Sequence, residues 1–210
     1  MIETLNISKS FNHQQVLAPT SLTFEAGKIY GLIGRNGSGK TVLLKLLAGL
    51  LYPTSGKIMI DHQILHQDMP IPPSMGLIIE KPGFIEWKSG LDNLKLLASL
   101  KKEIDLPQIM DILEKVELSH ASKRRVKHYS LGMKQRLSIA QALMENPRIL
   151  ILDEPMNGLD NSGVELVRQL LLTEKANGKL IILASHYIED INLLCDHVFQ
   201  IDQGHVSQVQ

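Results

Sequence analysis

The segment from Gly34 to Thr41 reads GRNGSGKT and restricts the fold more than any other stretch of this chain. It fits the pattern of a glycine, four residues and then Gly-Lys-Thr without a mismatch. An apolar run over 28–33 precedes the segment and predicts a buried strand, and leucines at helical spacing follow it and predict a helix. A glycine-rich turn between a strand and a helix is typical of a phosphate-binding loop.

Each residue type in this loop has a physical reason to be there. The glycines let the backbone turn tightly, so that successive N–H groups and the helix N-terminus converge on one anion. The Lys40 ammonium would reach the β- and γ-phosphates of a nucleotide, and the Thr41 hydroxyl would be a magnesium ligand. The predicted phosphate-binding residues are Gly34, Arg35, Asn36, Gly37, Ser38, Gly39, Lys40 and Thr41. The alternative, a glycine-rich turn before an ordinary helix, is disfavoured because strand, loop, Lys-Thr and helix follow in that order.

Length and charge exclude several classes of protein. The 210 residues are enough to bury a core in one domain, which we expect to span residues 1–210. The 22 basic and 22 acidic residues balance, which argues against a nucleic-acid partner because such partners need a broad positive field. No segment has the unbroken apolar length that crosses a bilayer, and Met1-Ile2-Glu3 does not begin a signal peptide. We therefore expect a cytosolic protein unless another molecule holds it at a membrane.

Two local features have ordinary explanations. The basic run Lys123-Arg124-Arg125-Val126-Lys127 predicts a solvated face. Cys195 is the single cysteine and lies in an apolar stretch, so we interpret it as a small core residue, with a reactive thiol as the alternative.

Apolar patterning predicts an α/β fold. Strands are predicted at 2–7, 17–24, 57–60, 76–79, 149–152 and 180–184, with a Pro-rich connection near 70–73 and helical spacing from Gly90 to about Asn146. The runs 149–152 and 180–184 are apolar at every position, which fits a parallel sheet that is covered on both faces. A helix over 162–175 between them completes a strand-helix-strand crossover. The pattern predicts a phosphate-loop sheet with helices on both sides, interrupted by a helical insertion.

Polar groups that could act on a phosphate follow two of these strands. Asp153 and Glu154 come directly after the strand at 149–152, where Asp153 could hold magnesium and Glu154 could deprotonate an attacking water. His186 follows the next strand and could bond the γ-phosphate. By itself, a pair of adjacent acidic residues often belongs to a turn or a helix start, and a lone histidine usually has a structural role or is merely exposed. Their position beside a phosphate loop favours the functional interpretation.

A longer motif gives these residues a family context. Residues 129–160 read YSLGMKQRLSIAQALMENPRILILDEPMNGLD, which resembles the signature helix, acidic motif and following loop of the ATP-binding cassette (ABC) ATPases. The order of phosphate loop, helical insertion, signature, acidic pair and histidine extends the resemblance over nearly the whole chain. It implies a P-loop NTPase (RecA-like) parallel sheet core, an antiparallel N-terminal β-subdomain and an inserted helical subdomain at about 82–146. It also implies ATP and Mg²⁺ as ligands and a paired cassette, as a homodimer or a heterodimer.

The resemblance assigns further roles at matching positions. Phe11 is similar to the aromatic residue that stacks on adenine, Glu154 to the catalytic glutamate and His186 to the switch histidine. Ser130 and Gly132 begin the signature helix, which in this family closes over the nucleotide held by the partner cassette. A helix N-terminus is also a physically suitable anion site. Asp160 is similar to the loop acid that crosses the interface between the two cassettes. Leu131 and Met133 depart from the commonest signature, which has glycine and glutamine there.

Glu80 is the most informative departure, because most cassettes carry glutamine at its position. Ile79-Glu80-Lys81-Pro82, with Phe84 and Asp92-Asn93-Leu94, is similar to cassettes of bacitracin-resistance and lantibiotic-immunity exporters. The resemblance also assigns Glu80 to the nucleotide and magnesium site. The segment after it is where the membrane partner's helix would dock. Phe84 and Trp87 would contact that helix, or else pack the core of the insertion itself.

The expected function is that of the ATP-hydrolysing subunit of an exporter. It would lie on the cytoplasmic face of the membrane and power a separate integral-membrane subunit, with peptide antibiotics or lantibiotics as the cargo class. The alternatives are an importer cassette, or a non-transport ABC ATPase that acts on ribosomes or DNA. A small phosphate-loop kinase is disfavoured because it would lack the signature helix that begins at Ser130.

Overall fold

A computed structural model describes residues 1–72, 74–80 and 83–210. The strands are β1 (Ile2–Phe11), β2 (Gln14–Thr20), β3 (Thr23–Phe24), β4 (Ile29–Ile33), β5 (Ser55–Ile60), β6 (Gln63–Ile64), β7 (Met75–Ile78), β8 (Ile149–Asp153), β9 (Leu180–Ala184), β10 (His197–Asp202) and β11 (His205–Gln208). The α-helices are α1 (Lys40–Leu47), α2 (Gly90–Lys101), α3 (Leu106–Lys115), α4 (Leu131–Leu143), α5 (Asn161–Ala176) and α6 (Ile188–Leu194). Short 3₁₀ turns lie at Ser119–Ala121 and Val126–His128.

The larger sheet has six strands in the order β11-β10-β4-β9-β8-β7. Every neighbouring pair is parallel except β10 with β11, so the predicted parallel core is confirmed. Residues along β8 alternate between two cores, with Ile149 and Ile151 on one face and Leu150 and Leu152 on the other. Burial on both faces explains why this strand is apolar at every position.

The smaller sheet is antiparallel, in the order β2-β1-β5-β6 with β3 also paired to β1. Apolar residues of this sheet, of α1 and of one face of the larger sheet form a single buried cluster. The cluster includes Phe24 and Tyr30, whose rings meet edge to face with centroids 5.0 Å apart. Helix α1 is therefore packed between the two sheets, which fixes the position of the loop that precedes it.

Helices α2, α3 and α4 lie between β7 and β8 in the chain. Ser89 caps the N-terminus of α2, because its side chain accepts the Asp92 N–H, and α3 begins with a capping box formed by Asp105 and Gln108. Apolar faces of α2, α3 and α4 pack onto the second face of the larger sheet. The expected start of this insertion, Pro82, lies outside the described residues, as do Lys81 and Pro73.

The C-terminal part differs most from the prediction, which left α6, β10 and β11 unassigned. The single strand expected over 17–24 is two strands, β2 and β3, which residues 21–22 separate. Cys195 is confirmed as a core residue, and burial raises the pKa of its thiol to about 12. Across the described ranges, none of the helices combines the length and hydrophobicity that a bilayer crossing requires.

Candidate functional site

The loop between β4 and α1 has a backbone that only glycine adopts easily. Gly34 has a φ of 153°, and a Cβ on it would lie 2.3 Å from the Ile201 carbonyl oxygen of β10. Gly39, the N-cap of α1, has a φ of 115°. Positive φ values at these positions make side chains costly, so the glycines are needed for the shape of the loop.

The polar groups of this loop turn inward. The Lys40 Nζ donates to the carbonyl oxygens of Gly34 at 2.7 Å and Arg35 at 3.1 Å, and the residue is 7% exposed. The Ser38 hydroxyl is buried and has no hydrogen-bond partner among the described residues. A buried hydroxyl without a partner is costly, and a ligand oxygen bound in the loop would remove that cost.

Thr41 and Asp153 meet at the sheet edge where β4 and β8 both end. The Thr41 hydroxyl donates to Asp153 Oδ2 at 2.7 Å, although 112 residues separate the two. Hydroxyl and carboxylate oxygens are the hard donors that Mg²⁺ prefers. Within the described ranges, no group of three His, Cys, Asp or Glu side chains is arranged to hold a metal ion. The Thr41 hydroxyl and the Asp153 carboxylate are therefore oxygen donors of a kind that would suit a magnesium ion.

Glu154 and His186 form the other contact at this edge. Glu154 has a φ of 51°, and its N–H donates to the Ala184 carbonyl of β9 at 2.9 Å. Its carboxylate Oε2 lies 2.7 Å from Nδ1 of His186, the second residue after β9. Because β8 and β9 are paired and parallel, residues that follow them lie side by side. The side chains that follow these two strands are therefore in contact.

Ser130, Gly132 and Asp160 form a second surface. Ser130 caps α4 by accepting the Met133 N–H, and Asp160 caps α5 by accepting the Gly163 N–H. The bond from Gly163 is the main reason why the pKa of the Asp160 carboxyl is lowered. A Cβ on Gly132 would lie 3.1 Å from the Gly158 carbonyl oxygen, so α4 begins against the loop that leads to Asp160. These residues line a cleft of about 440 Å³.

One side chain that the sequence analysis did not single out joins this surface to the acidic pair. Gln135 Nε2 donates to the Pro155 carbonyl at 2.8 Å, which ties α4 to the chain directly after Glu154. By contrast, none of the hydrogen bonds found in the described part of the chain links residues 34–41 to Ser130 or Gly132.

The remaining predicted residues are exposed. Phe11, 42% exposed, lies at the β1–β2 hairpin with the Lys9 Nζ 4.9 Å from its ring centroid. Glu80 follows β7, has a φ of 62° and forms an ion pair with Lys45 of α1.

The two aromatic residues after Glu80 differ in their surroundings. Phe84 is half-buried and packs against the helical core, whereas Trp87 is 72% exposed. Only Trp87 is free to contact another molecule with most of its ring.

Comparisons with known proteins agree with this geometry. The family model described as ABC transporter matches residues 17–157. An uncharacterized ABC transporter ATP-binding protein of Bacillus subtilis is 47% identical over 99% of this chain and 95% of its own length. A bacitracin transport ATP-binding protein of Enterococcus faecalis is 39% identical over 99% of this chain and 68% of its own length. A lantibiotic transport ATP-binding protein of Streptococcus pyogenes is 36% identical over 98% of this chain and 89% of its own length.

Solved structures share the whole fold. The ATP-binding subunit of an ABC transporter superposes with a TM-score of 0.89 at 26% identity and covers 100% of this chain and 90% of that one. A dimeric bacterial ABC transporter cassette has a TM-score of 0.88 at 22% identity, over 100% of this chain and 99% of that one. The predicted sheet core, N-terminal antiparallel sheet and helices are therefore confirmed as one known architecture.

Proposed function

Since this chain belongs to the ABC transporter family, as an ATP-binding subunit that hydrolyses ATP for transport, we propose how its own residues carry out that reaction. The observation on which the proposal depends is the meeting of the α1 start, Asp153 and Glu154 at one edge of the parallel sheet. Ligands of open α/β sheets bind at the carboxyl ends of the strands, and these residues lie at that edge.

The loop from Gly34 to Thr41 holds the triphosphate. Its backbone N–H groups and the α1 N-terminus attract the anion, and Lys40 exchanges two loop carbonyls for phosphate oxygens. Phe11 stacks on the adenine ring from the β1–β2 hairpin. Thr41 and Asp153, with Glu80 on the neighbouring strand end, would hold Mg²⁺, which would supply positive charge to offset that of the phosphates. For Glu80 to do so, its ion pair with Lys45 has to open.

Glu154 is the general base of hydrolysis. It takes a proton from a water as the water oxygen attacks the γ-phosphorus and the bond to the β–γ bridging oxygen breaks. His186 bonds Glu154 through Nδ1, which leaves Nε2 to face the γ-phosphate. The imidazole therefore holds the carboxylate in one orientation and also contacts the group that is transferred.

A second cassette completes the site. Ser130 and Gly132 start a 13-residue helix, whose N-terminus favours an anion, yet nothing in the chain bonds them to the phosphate loop within the described ranges. We propose that the signature helix of one copy closes over the nucleotide of the other, with Asp160 at the interface. Closure and reopening then drive a separate integral-membrane subunit on the cytoplasmic face of the membrane.

The cargo class is proposed from the relatives. Two of them are named as bacitracin and lantibiotic transport proteins, and both align over almost all of this chain. We propose export of, or resistance to, a peptide antibiotic of this kind.

Complementation between two inactive variants tests the shared site. Lys40→Ala removes the phosphate ligand of one copy, and Ser130→Asp keeps an N-cap acceptor but puts a negative charge where the partner's γ-phosphate would lie. We expect neither variant alone to release phosphate from ATP, and their mixture to recover part of the activity, since one of two sites is intact in mixed pairs. Ser130→Asn is the matched neutral control. No recovery from two folded variants would contradict pairing between copies of this chain.

A further inference from the structure

Two distant segments of the helical region run side by side at the surface. The N–H of Val126 donates to the Lys88 carbonyl and the N–H of Lys127 donates to the Glu86 carbonyl, both at 2.9 Å. Ser89 and Arg125 also form an isolated antiparallel bridge. These backbone bonds fix Trp87 beside the basic run that the sequence analysis interpreted as a solvated face.

The side chains on these segments form what we call the basic surface: Trp87, Lys88, Lys123, Arg124, Arg125 and Lys127. All six are exposed. Among the described residues, none of the five cations makes an ion pair. Two acids lie nearby: Glu86 pairs with Lys134, whereas Asp92 accepts the Ser89 hydroxyl and keeps a charge that acts on Lys88. Five cations beside one carboxylate without an ion pair among the described residues leave the surface positive, in a chain whose formal net charge is zero.

We propose that the basic surface binds the headgroups of anionic phospholipids. Clusters of four or more Lys and Arg residues are attracted to acidic lipids, at about 1 kcal/mol per cation. Tryptophan is enriched at the membrane–water interface, since its ring is apolar and its N–H is polar. The basic surface combines both features on a short stretch of fixed backbone.

The shape of the surface favours lipid over an acidic segment of another protein. Ser89, Ser122 and Val126 are buried beneath it, so a rigid base carries side chains that project outward. The membrane subunit's helix, which the sequence predicts as a contact of Trp87, would have to supply a matching pocket for this projecting ring, which is 72% exposed. In a bilayer the ring needs none, because lipids rearrange around it while the cations reach the phosphates.

The inference rests on the proposed function in one respect only, that the chain works beside a membrane. Lipid contact would orient the cassette toward its membrane subunit without taking part in ATP hydrolysis. The ATPase activity and the lipid binding can therefore fail separately, and each has its own readout.

The single tryptophan makes the test direct, since Trp87 is the only one in the chain. The full chain is titrated with vesicles of phosphatidylcholine alone and with vesicles that also contain phosphatidylglycerol. We expect a blue shift of Trp87 emission and co-sedimentation only with the anionic vesicles, both weakened by salt. Lys123→Gln with Lys127→Gln should lower the vesicle affinity about 30-fold, from about 1 kcal/mol per lysine.

The matched control is Lys57→Gln with Lys102→Gln, which removes two exposed lysines elsewhere. This pair should bind vesicles as the unaltered chain does, and both double variants should keep the thermal midpoint and the ATPase rate. Equal binding to neutral vesicles, no binding, or equal losses in the two double variants would overturn the proposal. A polyglutamate titration is the last arm: if it shifts the Trp87 emission as strongly as the anionic vesicles do, the partner is an acidic protein segment instead.

Discussion

Nδ1 of His186 lies 2.7 Å from Oε2 of Glu154, across the ends of two neighbouring parallel strands. The contact joins the proposed base to the residue proposed to sense the γ-phosphate. A change at the γ-phosphate can therefore alter the orientation of the base directly, without a chain of intervening residues.

Glu154→Gln tests the base. The amide keeps the size and hydrogen bonding of the side chain but cannot accept the proton, so hydrolysis should slow by about two or more orders of magnitude. ATP binding should persist, and ATP should hold the cassettes paired. Phosphate release and sedimentation with ATP measure the two effects, with Glu114→Gln on the exposed side of α3 as control. Unchanged turnover would exclude Glu154 as the base.

Lys40→Ala tests the loop. Its ammonium is bonded inside the loop, to the carbonyls of Gly34 and Arg35. Without it, ATP binding or hydrolysis should be abolished, which a fluorescent nucleotide titration and phosphate release would detect. Lys57→Ala on β5 should leave both unchanged. Ordinary affinity and rate in the Lys40 variant would remove the loop from the mechanism.

Glu80→Gln tests the exporter assignment. The ion pair with Lys45 is exposed on the Glu80 side, and such pairs contribute about 0–1 kcal/mol, so the free energy of unfolding should hardly change. We expect hydrolysis to continue while its coupling to transport is altered. Thermal unfolding, ATPase rate and cargo transport with the membrane subunit are measured together. Normal hydrolysis and normal transport with glutamine at this position would remove the main support for the subfamily.

Asp190→Asn tests a buried ion pair that holds α6 to α5. Arg168 donates from Nε at 2.9 Å and from an Nη at 2.6 Å to one Asp190 oxygen, and Asp190 is 2% exposed. Asparagine would remove the buried charge that accepts both Arg168 bonds and leave Arg168 with the exposed Glu189 and Glu165, so the free energy of unfolding should fall by about 2 kcal/mol. Asp111→Asn, in the exposed pair with Lys115, should cost under about 1 kcal/mol. Urea unfolding compares the two, and equal small losses would contradict the prediction.

The burial of Cys195 predicts that the free energy of unfolding depends on pH in the alkaline range. Burial raises the pKa of its thiol from 9.0 to about 12, so the folded chain keeps a proton that the unfolded chain releases. The stabilisation is complete below about pH 9 and is lost as the pH rises toward about 12, because the unfolded state then binds fewer protons. Cys195→Ala should reduce the fall in the free energy of unfolding between these limits. The native thiol should also resist alkylation near neutral pH, and rapid labelling would contradict its burial.

Most of the fold that could be predicted from the sequence came from short local patterns. The phosphate loop, β8, β9 and α5 could be predicted from the sequence, because each depends on residues that are close in the chain. The signals were the glycine spacing, the apolar runs at 149–152 and 180–184 and the helical pattern over 162–175. The placing of Glu154 beside His186 followed from one topological rule, that neighbouring parallel strands end at the same edge.

Pairings between distant segments could not be found in this way. The bond from Gln135 to Pro155 and the ion pair of Glu80 with Lys45 depend on how helices dock on the sheet. The strand at His197–Asp202 was missed because its sequence, HVFQID, is neither apolar throughout nor regularly alternating. Its place beside β4 is set by tertiary packing instead of by local preference.

That strand has a consequence for engineering. The Ile201 carbonyl packs so closely on Gly34 that the eight-residue loop rests against a segment more than 160 positions away in the chain. Transplanting GRNGSGKT into another scaffold would transfer the loop sequence but not the β10 contact that packs against it. A fragment cut off before β10 should likewise lose nucleotide affinity even though every residue proposed to touch the nucleotide is still present.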